Sequence, residues 1–116
     1  MKYTIGFPIS TKENEFRRVL VPHDISKIDY PENLYFENNY GKVLGIPDKD
    51  YKLMGCNVCA RDEVIKKDIV CDPKVGDADY LKNLSEGQII FGWVHATQNK
   101  NITDILLNNK LTAIAW

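Results

Sequence analysis

Residues 87–95, with the sequence Gly-Gln-Ile-Ile-Phe-Gly-Trp-Val-His, are the feature that most restricts the fold of this chain. Five of the six residues from Ile89 to Val94 are apolar, a run that is too short to span a membrane and is typical of a strand buried on both faces of a parallel sheet. His95 ends this run. In open α/β sheets the carboxyl ends of the strands bind ligands, so the sequence predicts a titratable ring at a ligand-binding rim. The alternative is a histidine that only bonds to a backbone carbonyl.

Short predicted strands alternate with short helices along the rest of the chain. The predicted strands are Lys2–Phe7, Leu34–Phe36, Cys56–Cys59, Asp68–Cys71, the 87–95 segment and Leu111–Ala115. The predicted helices are Pro22–Ile28, Pro47–Met54, Asp62–Lys66, Asp79–Leu84 and Asn101–Asn109. This alternation predicts an α/β layered fold with a mostly parallel sheet, and 116 residues are enough for one domain.

Charge and composition exclude several classes of function. The net charge of −1 and the isoelectric point near 6.1 give no basic surface for nucleic acid or for an anionic membrane. The first residues lack the apolar core and cleavage site of a signal peptide, so we expect a cytoplasmic protein. No G-x-G-x-x-G and no phosphate-binding loop motif occurs, so the chain shows no nucleotide-binding signature.

The cysteines and one acidic cluster are the remaining candidates for special chemistry. Cys56 and Cys59 have the spacing of a redox or zinc half-site, but no second pair completes it, so we expect buried, reduced thiols and no metal site. The aspartates at positions 72, 77 and 79 are suited either to attracting a cationic substrate or to forming turns and helix caps.

Three loops of the predicted sheet carry residues that are suited to binding a small anionic substrate. Arg17 or the adjacent Arg18 follows the first strand and can bind a carboxylate with two hydrogen bonds, although a solvated pair is the alternative. Lys74 follows the strand that ends near Cys71 and can supply an ammonium group to a carbonyl oxygen, although a solvated lysine is the alternative. Because the loops after parallel strands lie at the same edge of the sheet, Arg17, Lys74 and His95 are predicted to share one crevice.

Several segments together resemble the alanine dehydrogenase and transhydrogenase family. The resemblance covers nearly the whole chain, in order and with close spacing, and is carried by Ile5-Gly6-Phe7-Pro8, Asn14-Glu15-Phe16-Arg17 with Pro22, Asp50-Tyr51 with Gly55, Asp72-Pro73, Gly87–Ala96 and Leu111–Trp116. Within the family, Cys71-Asp72-Pro73-Lys74 and Gly92–Asn99 look most like the N5-(carboxyethyl)ornithine synthase branch.

The resemblance implies a fold, a reaction and site residues. It implies a flavodoxin-like (Rossmann-like) three-layer substrate domain over residues 1–116, with the family's nucleotide-binding domain absent. It assigns the carboxylate-binding arginine to Arg17, with Arg18 one residue out of register, and the catalytic histidine to His95. The lysine that contacts the keto oxygen in alanine dehydrogenases falls on Cys71, so Lys74 is the candidate to supply that charge, and alanine dehydrogenase activity is not expected.

For the assembled enzyme the resemblance implies an oxidoreductase. Pyruvate condenses with the side-chain amine of ornithine or lysine, using NADP(H) held by a domain that this chain lacks. The partner would then be a separate nucleotide-binding chain or a second copy of this chain, and the chain alone would be inactive. The alternatives are a stand-alone binding or regulatory module of the same fold, and a partner-binding α/β domain without a ligand.

Overall fold

The computed structural model describes residues 3–9, 20–72, 80, 83–92 and 112–115. Within these residues, six strands form one sheet: β1 (Ile5–Phe7), β2 (Leu34–Glu37), β3 (Asn57–Cys59), β4 (Ile69–Asp72), β5 (Ile89–Gly92) and β6 (Thr112–Ala115). They lie in the order β3-β2-β1-β4-β5-β6, and every neighbouring pair is parallel. The predicted α/β fold with a parallel sheet is confirmed, and each predicted strand corresponds to an observed one.

Three short α-helices connect the described strands: α1 (Pro22–Ile25), α2 (Asp48–Leu53) and α3 (Arg61–Val64). Two 3-10 turns, Pro31–Asn33 and Lys42–Leu44, had no counterpart in the sequence prediction. The helix predicted for Pro22–Ile28 ends at Ile25, where the Ile28 N–H bonds to the Ile25 carbonyl three residues back and the Ser26 hydroxyl donates to the His23 carbonyl. These local bonds compete with the α-helical pattern and end it. The predicted helix Asn101–Asn109 and half of the predicted helix Asp79–Leu84 lie outside the described residues.

An aromatic cluster forms the core on one face of the sheet. The rings of Phe7 and Phe36 stack with centroids 4.6 Å apart, and Tyr51 of α2 lies 4.6 Å from Phe36. Tyr40 packs edge-on to Tyr51, and the Tyr51 hydroxyl donates to the Leu20 carbonyl at 3.0 Å. The buried ring hydroxyl therefore has a hydrogen-bond partner, and the cluster fixes α2 against β1 and β2.

Helix α3 covers the opposite face of the sheet at very close range. A Cβ atom added to Gly6 would lie only 2.1 Å from the carbonyl oxygen of Val64, the last residue of α3. A residue with a side chain at position 6 would push the helix away from β1. Helices therefore lie on both faces, which gives the expected three layers.

Strand β5 (Ile89–Gly92), the described part of the 87–95 segment, is buried on only one of its faces. Ile90 is fully buried, but Phe91 is 38% exposed, so the prediction of burial on both faces is wrong for Phe91. Alternate residues of β1, β4 and β5, together with Leu20, line an open apolar cavity of about 410 Å³: Ile5, Phe7, Leu20, Ile69, Cys71, Ile89 and Phe91. The apolar run gives no sign of this opening, because elements distant in sequence determine which face is covered.

Candidate active site at the carboxyl edge of the sheet

The carboxyl ends of the parallel strands lie along one side of the sheet, which we call the carboxyl edge. The chain runs outward from β1 through β2 to β3, then returns to the other side of β1 and continues through β4 and β5 to β6. The strand order therefore reverses between β1 and β4. A crevice at such a reversal is where open α/β sheets bind ligands. The topology places the candidate site at the carboxyl ends of β1, β4 and β5.

The predicted site residues Arg17, Lys74 and His95 lie outside the described residues, as does Arg18. The described chain stops at Ile9 before Arg17, at Asp72 before Lys74, and at Gly92 before His95. The three strands that precede these points, β1, β4 and β5, are adjacent and parallel. This arrangement supports the predicted shared crevice, while the roles of the individual side chains stay predictions.

An arginine and a glutamate hold the chain where it leaves β1. Glu37, the last residue of β2, accepts hydrogen bonds at Oε1 from the Ile9 N–H and from Arg61 Nε, each at 3.0 Å. Arg61, the first residue of α3, also donates from Nη2 to the Ile9 carbonyl at 3.0 Å. The two side chains are 15% and 30% exposed, respectively, so the ion pair is partly buried. Both backbone polar groups of Ile9 are therefore bonded to side chains from other strands and helices; we call this arrangement the Ile9 clamp.

A buried carboxylate and a phenol lie at the end of β4. Asp72 is fully buried, and its Oδ2 accepts a 2.6 Å hydrogen bond from the Tyr80 hydroxyl. Burial, followed by the neighbouring Asp72 charge, raises the pKa of Tyr80 well above its ordinary value, so the phenol keeps its proton and donates. Of the two interpretations of the acidic cluster, attraction of a cationic substrate is therefore wrong for Asp72. Asp77 and Asp79 lie outside the described residues.

The thiols are suited to packing rather than to catalysis or metal binding. Burial raises the pKa of Cys71 to about 12 and that of Cys56 to about 11, and it also raises the pKa of the half-buried Cys59. The thiolate is the reactive form of cysteine, so these groups are poor nucleophiles at neutral pH. In the part of the chain that the structure describes, no group of three or more His, Cys, Asp or Glu side chains could hold a metal ion.

The described end of β1 does not fit a dinucleotide. Folds with this strand order bind a pyrophosphate through backbone N–H groups of a glycine-rich turn after the first strand. Here Pro8 has no N–H, and the Ile9 N–H is bonded to Glu37. Neither residue can offer a backbone donor to a phosphate. A nicotinamide dinucleotide is therefore not expected at the position that it occupies in dinucleotide-binding sheets.

A second cleft, of about 530 Å³, lies beside the loop after β2. It is lined by Asn39, Lys42, Gly45, Ile46, Pro47 and Asp48. It lies beside the carboxyl end of β2 rather than between β1 and β4, and no residue singled out for chemistry lines it. We therefore centre the candidate site on β1, β4 and β5.

Comparison with known proteins identifies the family. The model of the alanine dehydrogenase/PNT N-terminal domain family matches residues 6–116. The chain belongs to this family. An L-alanine dehydrogenase structure superimposes with a TM-score of 0.83 at 24% identity, covering 97% of this chain and 32% of that structure. That likeness supports the fold described above.

Two kinds of relative within the alanine dehydrogenase/PNT family are similar in sequence. The N(5)-(carboxyethyl)ornithine synthase of Clostridium botulinum is 35% identical over 92 residues, which is 78% of this chain and 28% of that protein. The alanine dehydrogenase of Mycobacterium tuberculosis is 27% identical over 115 residues, which is 97% of this chain and 31% of that protein. The chain thus spans about a third or less of the length of these relatives. No helix in the described residues is both long and apolar enough to cross a membrane.

Sequence patterns did not single out the residues of the Ile9 clamp or Tyr80. Glu37 carried a usable signal, since an acidic residue directly after a short apolar strand lies at the carboxyl edge of a parallel sheet. Arg61 carried none, because its partners are 24 and 52 residues away in sequence.

Proposed function

We propose that this chain is the substrate-binding domain of an enzyme that condenses pyruvate reductively with the side-chain amine of ornithine or lysine, as the resemblance to N(5)-(carboxyethyl)ornithine synthase implies. Similarity to that synthase over 78% of the chain supports the reaction. The observation that carries the site is the adjacency of β1, β4 and β5, whose carboxyl ends precede Arg17, Lys74 and His95.

In this proposal Arg17 binds the pyruvate carboxylate. Its planar guanidinium matches a carboxylate with two parallel hydrogen bonds and fixes the direction of the keto group. Lys74 supplies a positive charge to the keto oxygen, in place of the lysine that Cys71 replaces. The proposed ligands come from two adjacent strand ends, so they can approach the same three-carbon substrate from two sides.

His95 acts as general acid and base in the proposed condensation. The amine attacks the keto carbon to give a carbinolamine, and His95 then protonates the departing hydroxyl group as water is lost and the imine forms. An imidazole is suited to this proton transfer because its ordinary pKa is near neutrality.

The reaction needs a hydride donor, which we take to be NADPH. Because Pro8 and Ile9 offer no backbone donor to a dinucleotide, we assign NADPH binding to a separate nucleotide-binding domain or chain. The chain described here would then bind substrate without catalysing turnover by itself.

Calorimetric titration of pyruvate into the purified chain tests the proposal. We expect millimolar or tighter binding that is lost in Arg17→Ala and kept in Arg18→Ala, the matched control one residue away. Binding that survives Arg17→Ala, or no binding by the unmodified chain, would contradict an intact pyruvate site. Binding of ornithine with no effect of pyruvate would instead favour a stand-alone amino-acid-binding module.

A further inference from the structure

The Ile9 clamp joins three elements at the point where the chain leaves β1. Glu37 comes from the end of β2, Arg61 from the start of α3, and Ile9 from the segment after β1. An arginine fork that bonds a carboxylate and a carbonyl at once holds both in one relative orientation. The clamp therefore fixes the backbone of Ile9, and Arg17 follows Ile9 by eight residues in the sequence.

Arg61 also lies near Tyr80, whose hydroxyl bonds to the end of β4. Its Cζ is 6.0 Å from the centroid of the Tyr80 ring, and the Tyr80 hydroxyl donates to Asp72 at the end of β4. Lys74 follows Asp72 by two residues. The Arg61 guanidinium thus contacts Ile9, after β1, directly, and it is linked to Asp72, at the end of β4, through the Tyr80 phenol.

We propose that Arg61 is a positioning residue of the substrate site: with Glu37 it fixes the backbone of Ile9, and through it the approach of Arg17 to the substrate carboxylate. This inference rests on the proposed function, because the role of Arg17 is itself proposed. Arg61 does not touch the substrate in this scheme. Its effect reaches the substrate through the backbone of Ile9 and through Tyr80.

Amide hydrogen exchange of the free chain, followed by NMR, tests the clamp directly. The informative variant is Arg61→Met, which keeps the aliphatic stem and removes the guanidinium. The Ile9 N–H bonds to Glu37, whereas Arg61 bonds to the Ile9 carbonyl, so faster exchange of the Ile9 N–H reports displacement of the residue rather than removal of the acceptor of that N–H. We expect the Ile9 amide to exchange roughly tenfold faster after correction for global stability, the scale of a lost charged hydrogen bond.

The matched control is Gln88→Ala, at the opposite end of the sheet. Gln88 Nε2 donates to the carbonyls of Ile65 and Lys67, and Gln88 Oε1 accepts from the Ser85 N–H, so this change removes three hydrogen bonds of a mostly buried side chain. It should lower stability without speeding exchange at Ile9 beyond the global change. Arg61→Lys should restore exchange only in part, since one ammonium group cannot reproduce the two-nitrogen contact. Glu37→Gln should give an intermediate exchange rate, because the amide oxygen still accepts from Ile9 but no longer carries the charge that pairs with Arg61.

Pyruvate titration of the same variants, at a temperature where all are folded, separates this inference from the proposed function. We expect Arg61→Met to weaken binding about tenfold and Gln88→Ala to change it less than twofold. Loss of binding in Arg17→Ala together with unchanged affinity in Arg61→Met would overturn the positioning role. Failure of the unmodified chain to bind, or binding unaffected by Arg17→Ala, would count against the proposed function. In that case the exchange experiment still tests whether Arg61 fixes the backbone of Ile9. Unchanged exchange of the Ile9 amide in Arg61→Met would show that it does not.

Discussion

Gly6 shows at the scale of one residue how closely α3 packs on β1. A Cβ at position 6 would meet the Val64 carbonyl oxygen at 2.1 Å. The position of a Cβ is set by its own backbone and the oxygen is itself a backbone atom, so no side-chain rotation can relieve the clash. We expect Gly6→Ala to lower the free energy of unfolding by about 3 kcal/mol or more, measured by urea denaturation. Gly87→Ala is the control, since its φ is +89° and its Cβ would have no neighbour within 4 Å, so only backbone strain of about 1 kcal/mol applies. Equal losses in the two variants would contradict the steric explanation.

Cys71 should make the fold sensitive to alkali. Burial raises its pKa from 9.0 to about 12, so the folded chain keeps the proton that the unfolded chain releases above pH 9. The thiol's contribution to stability is therefore complete below pH 9 and is lost as the pH rises toward 12, at about 1.4 kcal/mol per pH unit. Denaturation under reducing conditions from pH 8 to 10 should show this slope. Cys71→Val should reduce the slope of stability against pH more than Cys59→Val does. An unchanged slope in Cys71→Val would show that Cys71 does not cause the alkaline loss of stability.

At the scale of an element, a helix and a turn stabilise each other after β2. The backbone N–H of Asn39 donates to both carboxylate oxygens of Asp48, at 2.9 and 3.1 Å, and Asp48 is the first residue of α2. Asn39 has a φ of 67°, a left-handed conformation that asparagine tolerates. We expect Asp48→Ala to cost about 1–2 kcal/mol, because it removes a charged hydrogen bond from the turn and an acidic group from the helix N-terminus. Lys49→Ala on the exposed side of α2 should cost much less, and similar costs would show that the bond contributes little.

The elements themselves were largely predictable, whereas their contacts were not. Apolar runs flanked by Pro and Gly predicted β1 to β6 within a few residues, because strand periodicity and chain breakers are local signals. The Ile9 clamp was not predictable, since it joins residues far apart in sequence and depends on which strand lies next to β1. The prediction that Phe91 is buried was wrong for the same reason. The adjacency of β1, β4 and β5, the strands that precede Arg17, Lys74 and His95, follows from topology alone, so the sequence could predict it without any side-chain contact. The positions of the three side chains stay predictions.

At the scale of the whole molecule, the central strand depends on a partner that comes much later in the chain. β1 pairs with β4, and the N–H and hydroxyl of Thr4 both donate to Asp68, 64 residues away. Closing so long a loop costs entropy before the pairing is gained. We expect a fragment of residues 1–60 to show no cooperative thermal transition by circular dichroism, although it contains β1, β2 and β3. A sharp transition in that fragment would mean that the aromatic cluster suffices for folding.

The open apolar cavity affects how the stability of this protein should be followed. Dyes such as ANS fluoresce when they bind exposed apolar surface and are commonly used to detect partly unfolded states. A cavity of about 410 Å³ with Phe91 38% exposed at its wall offers such a dye a site on the folded chain. Dye fluorescence should therefore be high before melting begins, and it should fall in Phe91→Ser at temperatures where the fold is intact. Unfolding of this chain is better followed by far-ultraviolet circular dichroism, which reports the backbone and not the cavity.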